Sequence, residues 1–267
     1  MSQRKTIGLA LGSGAYRGFA HIGVIRSLER HGFQVDYLSG ASIGAWVAAY
    51  YALFQELQQL ENDLMENTKE NLSLLFDLSW RKGLITGDRL LKYFDKKFAG
   101  QTFAAVKIPL QIVATDMNSA SSYIIKDGPL AAAVRASASV PVVFSPFVID
   151  DHFLVDGGMS NPVPCDVVRN MGAEIVIGVN LYHSNEFADA PDSFSNMAVR
   201  GTVILLHNLA VESSKSADLV INTDMSAFSK KSHLAKYFTK DTALEMIKVG
   251  ELATDEIIPQ LRKLSEL

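Results

Sequence analysis

The stretch VDYLSGASIGAWVAAYYALF, from Val35 to Phe54, decides the fold. Val35 to Ser39 reads as a short strand, Gly40-Ala41-Ser42 turns the chain, and Ile43 to Phe54 is a helix without a charged residue. At 1.5 Å per residue that helix is roughly 18 Å long, short of the roughly 30 Å hydrocarbon core of a bilayer. A helix that is apolar all round and too short to span belongs in a protein core. A strand feeding a buried helix through a tight turn is the repeating unit of an α/β sheet, and the chain repeats it. Lys5 to Leu11 (KTIGLAL) is a buried strand, Gly12 to Gly18 a loop, and Phe19 to Arg30 a helix stopped at Gly32.

Working outward, Ile108 to Asp116 (IPLQIVATD) and Glu174 to Leu181 (EIVIGVNL) are continuous apolar strands, and Ala217 to Asn222 is a last one. Tyr123 to Ile125 can pair beside the first of these, and Val142 to Ile149 and Phe153 to Val155 have β character. Helices are predicted at Leu57 to Leu78, Gly87 to Phe98, Leu130 to Ser137, Pro164 to Asn170 and Asp241 to Leu264, the last bent near Pro259. Apolar strands alternating with helices predict an α/β fold, three layers deep, with a mostly parallel sheet covered on both faces. Ser184 to Ser195 is a polar loop too short for a linker, so residues 1–267 are expected to form a single domain.

Composition narrows the function classes. The 25 Lys and Arg against 29 Asp and Glu leave a net charge of −4, and the pairs Arg81-Lys82, Lys96-Lys97 and Lys230-Lys231 are isolated. Nucleic-acid binding would need clustered excess base, so no nucleic-acid partner is expected. The one cysteine, Cys165, forms no intrachain disulfide and suits a reducing compartment. The apolar run Thr6 to Gly12 is too short for a signal peptide, which points to a cytoplasmic protein without a membrane span.

Three segments can carry chemistry. Gly40-Ala41-Ser42-Ile43-Gly44 is a G-x-S-x-G between a strand and a helix, where a strained nucleophile needs small neighbours and the helix N-terminus favours developing negative charge. Read alone, it leaves open a glycine-rich turn with a capping serine as the lesser reading. Gly12-Ser13-Gly14-Ala15-Tyr16-Arg17-Gly18 has Arg17 where a dinucleotide loop has its third glycine, and no Lys-Ser/Thr follows as in a P-loop. It is either a tight turn or a set of backbone N–H groups facing an anion beside a fixed cation. Asp156-Gly157-Gly158 ends the strand Phe153–Val155, as an Asx turn or as a carboxylate held in a crevice.

In order and context the three segments resemble the patatin-like phospholipases, most closely the compact bacterial members related to the neuropathy-target-esterase branch. The resemblance runs from Leu11 to about Leu181 and takes in Arg17 to Val24, Ala136-Ser137-Ala138-Ser139-Val140-Pro141 and Gly157 to Pro162. It implies a patatin-like fold and a Ser–Asp dyad, placed at Ser42 and Asp156. It also implies an oxyanion hole from the glycine loop at Gly12, Ser13, Gly14 and Ala15, ordered by Arg17 and supported by Gly18, Gly40, Gly44, Gly157 and Gly158. Ser13 and Ala15 interrupt what is usually a run of glycines, but the donors are backbone N–H groups. No metal and no cofactor is implied, and no His, Cys and carboxylate cluster has zinc spacing.

A Ser–Asp pair makes sense of the histidines. A triad hydrolase would place its base after the acid, which leaves His183, His207 and His233. His207 reads as a helix residue near an apolar face, His233 as a surface residue, and His183, at a strand exit, as the rival base. His21 reads as structural support for the glycine loop. An ordinary aspartate, with a pKa of about 3.9, is a poor base at neutral pH, so burial has to raise Asp156. The expected activity is a lipid acyl hydrolase of phospholipase A or lysophospholipase type. The alternatives are a soluble carboxylesterase or thioesterase, or a lipid-binding regulatory protein. The expected partner is a lipid or acyl ester, with peripheral contact to the inner membrane face through apolar side chains around the crevice. Val199 to Val211 (VRGTVILLHNLAV) reads as a core helix before it reads as a lid near the mouth.

Overall fold

The computed structural model describes residues 4–66, 87–141, 143–182, 194–229 and 239–266. The far part of the predicted Leu57–Leu78 helix, most of the predicted loop from Ser184, and Val142, His183 and His233 lie outside them.

In chain order the elements are β1 (Ile7–Leu11), α1 (Phe19–Arg30), β2 (Tyr37–Ala41), α2 (Ile43–Phe54), α3 (Gln58–Glu66) and α4 (Asp88–Phe98). Next come β3 (Leu110–Asp116), β4 (Ser121–Ile125), α5 (Leu130–Ser137), β5 (Phe147–Ile149), β6 (His152–Val155), α6 (Cys165–Asn170) and β7 (Ile175–Asn180). The chain continues through α7 (Phe194–Ser213), β8 (Leu219–Asn222), a single turn α8 (Ser226–Ser229) and α9 (Lys240–Glu266). The strands form one sheet in the order β5-β6-β3-β2-β1-β7-β8, with β4 also paired to β3. From β3 to β8 neighbours are parallel, and β4, β5 and β6 join antiparallel at the β3 end.

Both faces of the sheet are covered, and β1 shows how. Its Ile7, Leu9 and Leu11 enter the large core with α1, α2 and α9, while Ala10, facing the other way, joins Val163, Cys165 and Val168 of the α6 layer. Gly8 shares that second face because a Cβ there would stand 2.6 Å from Ala173 Cβ. The all-apolar α2 is buried from Gly44 to Leu53. Among the described residues no helix is long and apolar enough to cross a membrane. The helix read at Val199–Val211 is part of α7 and is not a core helix on all sides. Val203, Leu206 and Ala210 pack on the second core cluster, while Ile204, Leu205 and Val211 are exposed.

Two strand boundaries differ from expectation. β2 lies two residues later than Val35–Ser39, because Gly40 and Ala41 still pair with Leu11 and Val113. Of Val142–Ile149 only Phe147–Ile149 is strand; Val143 and Phe144 turn back with their N–H groups on Val140 O, and Phe144 is buried over the Arg135 guanidinium. The last helix runs through Pro259 without a break.

The β3 region positions the site. β4 pairs along one edge of β3 from Ile112 to Asp116, and β2 pairs along the other as far as Val113. A strand has two edges, so β6, paired to Thr115 and Asp116, continues the edge that β2 leaves. β2 runs parallel to β3 and β6 antiparallel, so the two run toward each other in line. The residues that follow them, Ser42 and Asp156, meet in the gap.

Candidate active site

Ser42 begins α2 with φ +57° and ψ −121°, a backbone conformation that costs a non-glycine residue on the order of 1–3 kcal/mol. The neighbours of Ser42 are small for packing reasons. A Cβ on Gly40 would run into Gly44 O, and one on Gly44 into Leu11 O. Gly18, at the end of the glycine loop, lies against the Ile43 side chain, which holds the loop to the same turn.

The Ser42 hydroxyl donates to Asp156 Oδ2 at 2.6 Å, and the Gly158 N–H donates to Asp156 Oδ1 at 2.8 Å. Both side chains are buried. Burial pushes the Asp156 carboxyl up to about 6, against the pull of these two hydrogen bonds. A carboxylate of that basicity can take a proton near neutral pH. Gly157 lies over Val113 O too closely for a side chain, and a Cβ on Gly158 would stand 2.5 Å from Ser13 Oγ. Both supporting glycines of the Asp-Gly-Gly turn are therefore fixed by contact.

The glycine loop follows β1 at the same end of the sheet. The Gly12 N–H donates to Val179 O at 3.1 Å and the Ser13 N–H to Pro162 O at 2.8 Å. This corrects the expectation that all four loop residues offer N–H groups to an oxyanion. The Gly14 and Ala15 N–H groups find no acceptor among the described residues, and Ala15 stands at φ +51°. Arg17 is buried, with its guanidinium 4.9 Å from the centre of the Tyr16 ring and 5.5 Å from that of Tyr182. His21 is fully buried, and its Nε2 donates to Gly12 O at 2.8 Å. Burial pushes its imidazole down to about 4, so it braces the loop as a neutral ring.

Around the pair stand residues whose roles the sequence did not single out. Ser137 Oγ accepts from the Ser42 N–H at 2.8 Å and donates to Val113 O at 2.6 Å. Ser139 O accepts from the Asp156 N–H at 3.0 Å, and Thr115 Oγ1 donates to Asp156 O at 2.8 Å. Arg135, fully buried, donates to the Ser139 hydroxyl, to Gly87 O at 3.2 Å and to Ser145 O at 3.3 Å. Burial pulls its guanidinium down to about 10 while nearby Asp88 raises it, which leaves it charged at neutral pH. The available signal was two serines in the small-residue segment Ala136 to Val140. Of the three histidines that could serve as a base, His207 donates from Nδ1 to Tyr182 O at 2.8 Å. Among the described residues no group of three or more His, Cys, Asp and Glu side chains is placed to hold a metal ion.

The site therefore joins a strained, buried serine hydroxyl to a raised carboxylate beside a loop with two N–H groups to offer. A model of the patatin-like phospholipases matches residues 9–169, which include the glycine loop, Ser42 and Asp156. An uncharacterised NTE-family protein of Mycobacterium tuberculosis is 32% identical over 197 residues, covering 73% of this chain and 54% of that protein. Patatin-like phospholipase domain-containing protein 6 of Homo sapiens is 33% identical over 187 residues, covering 68% of this chain and 14% of that protein. The chain thus spans about half the length of the mycobacterial relative and a smaller part of the human one. Among solved structures, VipD from Legionella pneumophila aligns with a TM-score of 0.43 and 14% identity, covering 94% of this chain and 67% of that one. With more than half of its length matched by the family model, the chain belongs to the patatin-like phospholipase family.

Proposed function

We propose that the chain is a serine hydrolase of lipid acyl esters, of phospholipase A or lysophospholipase type, with Ser42 as nucleophile and Asp156 as its base. The observation that carries this reading is the 2.6 Å hydrogen bond from Ser42 Oγ to a buried carboxylate raised to about 6. As Oγ attacks the ester carbonyl, its proton passes to Asp156, and the carbonyl oxygen becomes an oxyanion. The Gly14 and Ala15 N–H groups, left without an acceptor among the described residues, are assigned to that charge, beside the positive end of α2. Collapse of the tetrahedral species breaks the ester bond, and Asp156 returns the proton to the leaving alcohol. Water then gives a proton to Asp156 and attacks the acyl-serine; the fatty acid leaves and Ser42 regains its proton.

Two features favour a lipid substrate. The relatives' names refer to phospholipases. The strand that delivers Asp156 also carries an exposed apolar fringe: Phe153 beside Val148 across the β5–β6 hairpin, Met117 on the adjoining end of β3, and Met159 just past the Asp-Gly-Gly turn. A fluorophosphonate probe tests the nucleophile: it should label the wild type and fail on Ser42→Ala. Labelling and turnover that survive that change overturn the reading. A chain-length series of esters assayed above and below micelle formation tests the substrate class. Rates that jump on aggregation support a phospholipase, and indifference to aggregation points to a soluble esterase.

A further inference from the structure

Leu38 pairs with Leu110, and its N–H donates to Pro109 O at 2.9 Å, which sets the pattern of the parallel β2–β3 ladder. Two residues per rung, the same pattern places the Ser42 N–H on Val113 O. That bond is not made. The Ser137 hydroxyl stands between the two groups, taking the Ser42 N–H at 2.8 Å and donating to Val113 O at 2.6 Å. One hydroxyl is spliced into the last rung, and at that rung the chain leaves the strand for the φ +57° turn that presents Ser42 Oγ.

The same segment holds the other half of the pair. Asp156 donates its N–H to Ser139 O at 3.0 Å, and the Arg135 guanidinium is bonded to the Ser139 hydroxyl. Gly157, next to Asp156, lies so close that a Cβ there would be 3.3 Å from Ser137 Oγ. The end of α5 and the turn after it therefore touch the backbone on both sides of the gap.

We propose that Ser137 is a positioning residue for the reaction, its hydroxyl wedging open the last β2–β3 rung so that Ser42 reaches Asp156. The proposal rests on the Ser42–Asp156 reading above and adds what sets that pair's geometry. Without the hydroxyl, Ser42 N–H is left either to close on Val113 O, drawing the turn back into the strand, or to remain unpaired in the core. The first outcome moves the attacking oxygen, and the second releases the turn that presents it.

The test compares wild type, Ser42→Ala, Ser137→Ala and Ser137→Thr for fluorophosphonate labelling rate, kcat and KM on a soluble ester. Ser137→Ala should lower kcat and labelling rate by about tenfold to a hundredfold, the scale of small misplacements of reacting groups, with KM within about twofold. Ser137→Thr, which keeps the hydroxyl, should recover most of the rate. A folded Ser137→Ala protein labelled at the wild-type rate overturns the proposal, and so does a folded threonine variant as slow as the alanine one. If Ser137→Ala does not fold, Ser137→Cys, nearly isosteric with a poorly bonding thiol, takes its place under the same criteria. Labelling that survives Ser42→Ala removes the underlying reading and this proposal with it. Labelling lost in Ser42→Ala but unchanged in the Ser137 variants removes this proposal alone.

Discussion

Ser42 and Asp156 reach each other from opposite directions along one edge of β3, Ser42 after the strand residue paired with Val113 and Asp156 after the one paired with Thr115. Their side chains close the gap with a 2.6 Å hydrogen bond. In a triad hydrolase the acid orients a histidine, which in turn meets the serine. Here Gly158 fixes the carboxylate's oxygen and Ser139 its backbone, and under the proposed Ser42–Asp156 dyad no histidine is needed between them. Asp156→Asn, which keeps the shape and removes the basicity, should therefore reduce turnover by about a hundredfold or more. His183→Ala, His207→Ala and His233→Ala should each stay within a few-fold of wild type once stability is matched. Steady-state kinetics on folded variants checks this, and a loss at any one histidine comparable to Ser42→Ala would assign the chain to the triad hydrolases.

The pH dependence of activity follows from the same carboxylate. Asp156 acts as a base only when unprotonated, and burial raises it to about 6. The rate constant kcat/KM should thus rise with pH through about 6 and level off above it. A limb set by an exposed aspartate would lie lower, near the ordinary value of about 3.9. Residual activity in Asp156→Asn should have lost this limb. A limb that persists in that variant and vanishes on a histidine substitution would reassign the base.

How much of this was legible in the sequence depends on the range of the interaction. α1, α2 and α5 lie where the local signals put them, because Gly18, Ser42 and Pro129 mark their starts in the sequence itself. β2 runs two residues beyond the strand its sequence predicts because Gly40-Ala41 has the composition of a turn, whereas Gly40 is small to admit Gly44 and still pairs with Leu11. Ser42 and Asp156 could be picked out as strand-end residues among glycines. The Ser137 splice could not, since it joins residues 95 positions apart and depends on how far β2 extends. The division of the glycine loop was also hidden, because Gly12 and Ser13 find their acceptors on Val179 and Pro162, far along the chain.

Contact with lipid surfaces should be driven by apolar side chains. The net charge is −4, and the tip of the β5–β6 hairpin carries exposed Asp150 and Asp151 beside the apolar Val148 and Phe153. Sedimentation with zwitterionic and anionic vesicles should show no gain on adding anionic lipid and little effect of salt. Phe153→Ser should lower turnover of aggregated lipid while hydrolysis of a monomeric ester holds. Binding that climbs steeply with anionic lipid and collapses in salt would mean that a basic surface, not this fringe, meets the membrane.

Stability near the site should be set by two buried groups that respond to acid in opposite senses. His21 is held down to about 4 from 6.5 in the folded protein, so its contribution is full above 6.5 and is lost as the pH falls through about 4. Asp156 is raised to about 6 from 3.8, so its contribution is full below 3.8 and is lost as the pH rises through about 6. Each shift corresponds to something on the order of 3 kcal/mol, and between pH 4 and pH 6 the two oppose each other. The wild type should accordingly change little in stability across that window. Asp156→Asn removes one side of the balance. It should be more stable than wild type at pH 7.5, because a neutral amide replaces a buried charge and can still accept from Gly158 and donate to Ser42. Below pH 6 that advantage should shrink steadily, as the aspartic acid of the wild type takes up its proton and the variant retains only the histidine's acid sensitivity. Urea unfolding of both proteins at pH 4.5 and pH 7.5 measures the difference. An Asp156→Asn protein that is less stable than wild type at pH 7.5 would show that the carboxylate is held at an ordinary acidity, and would remove its standing as a base near neutral pH.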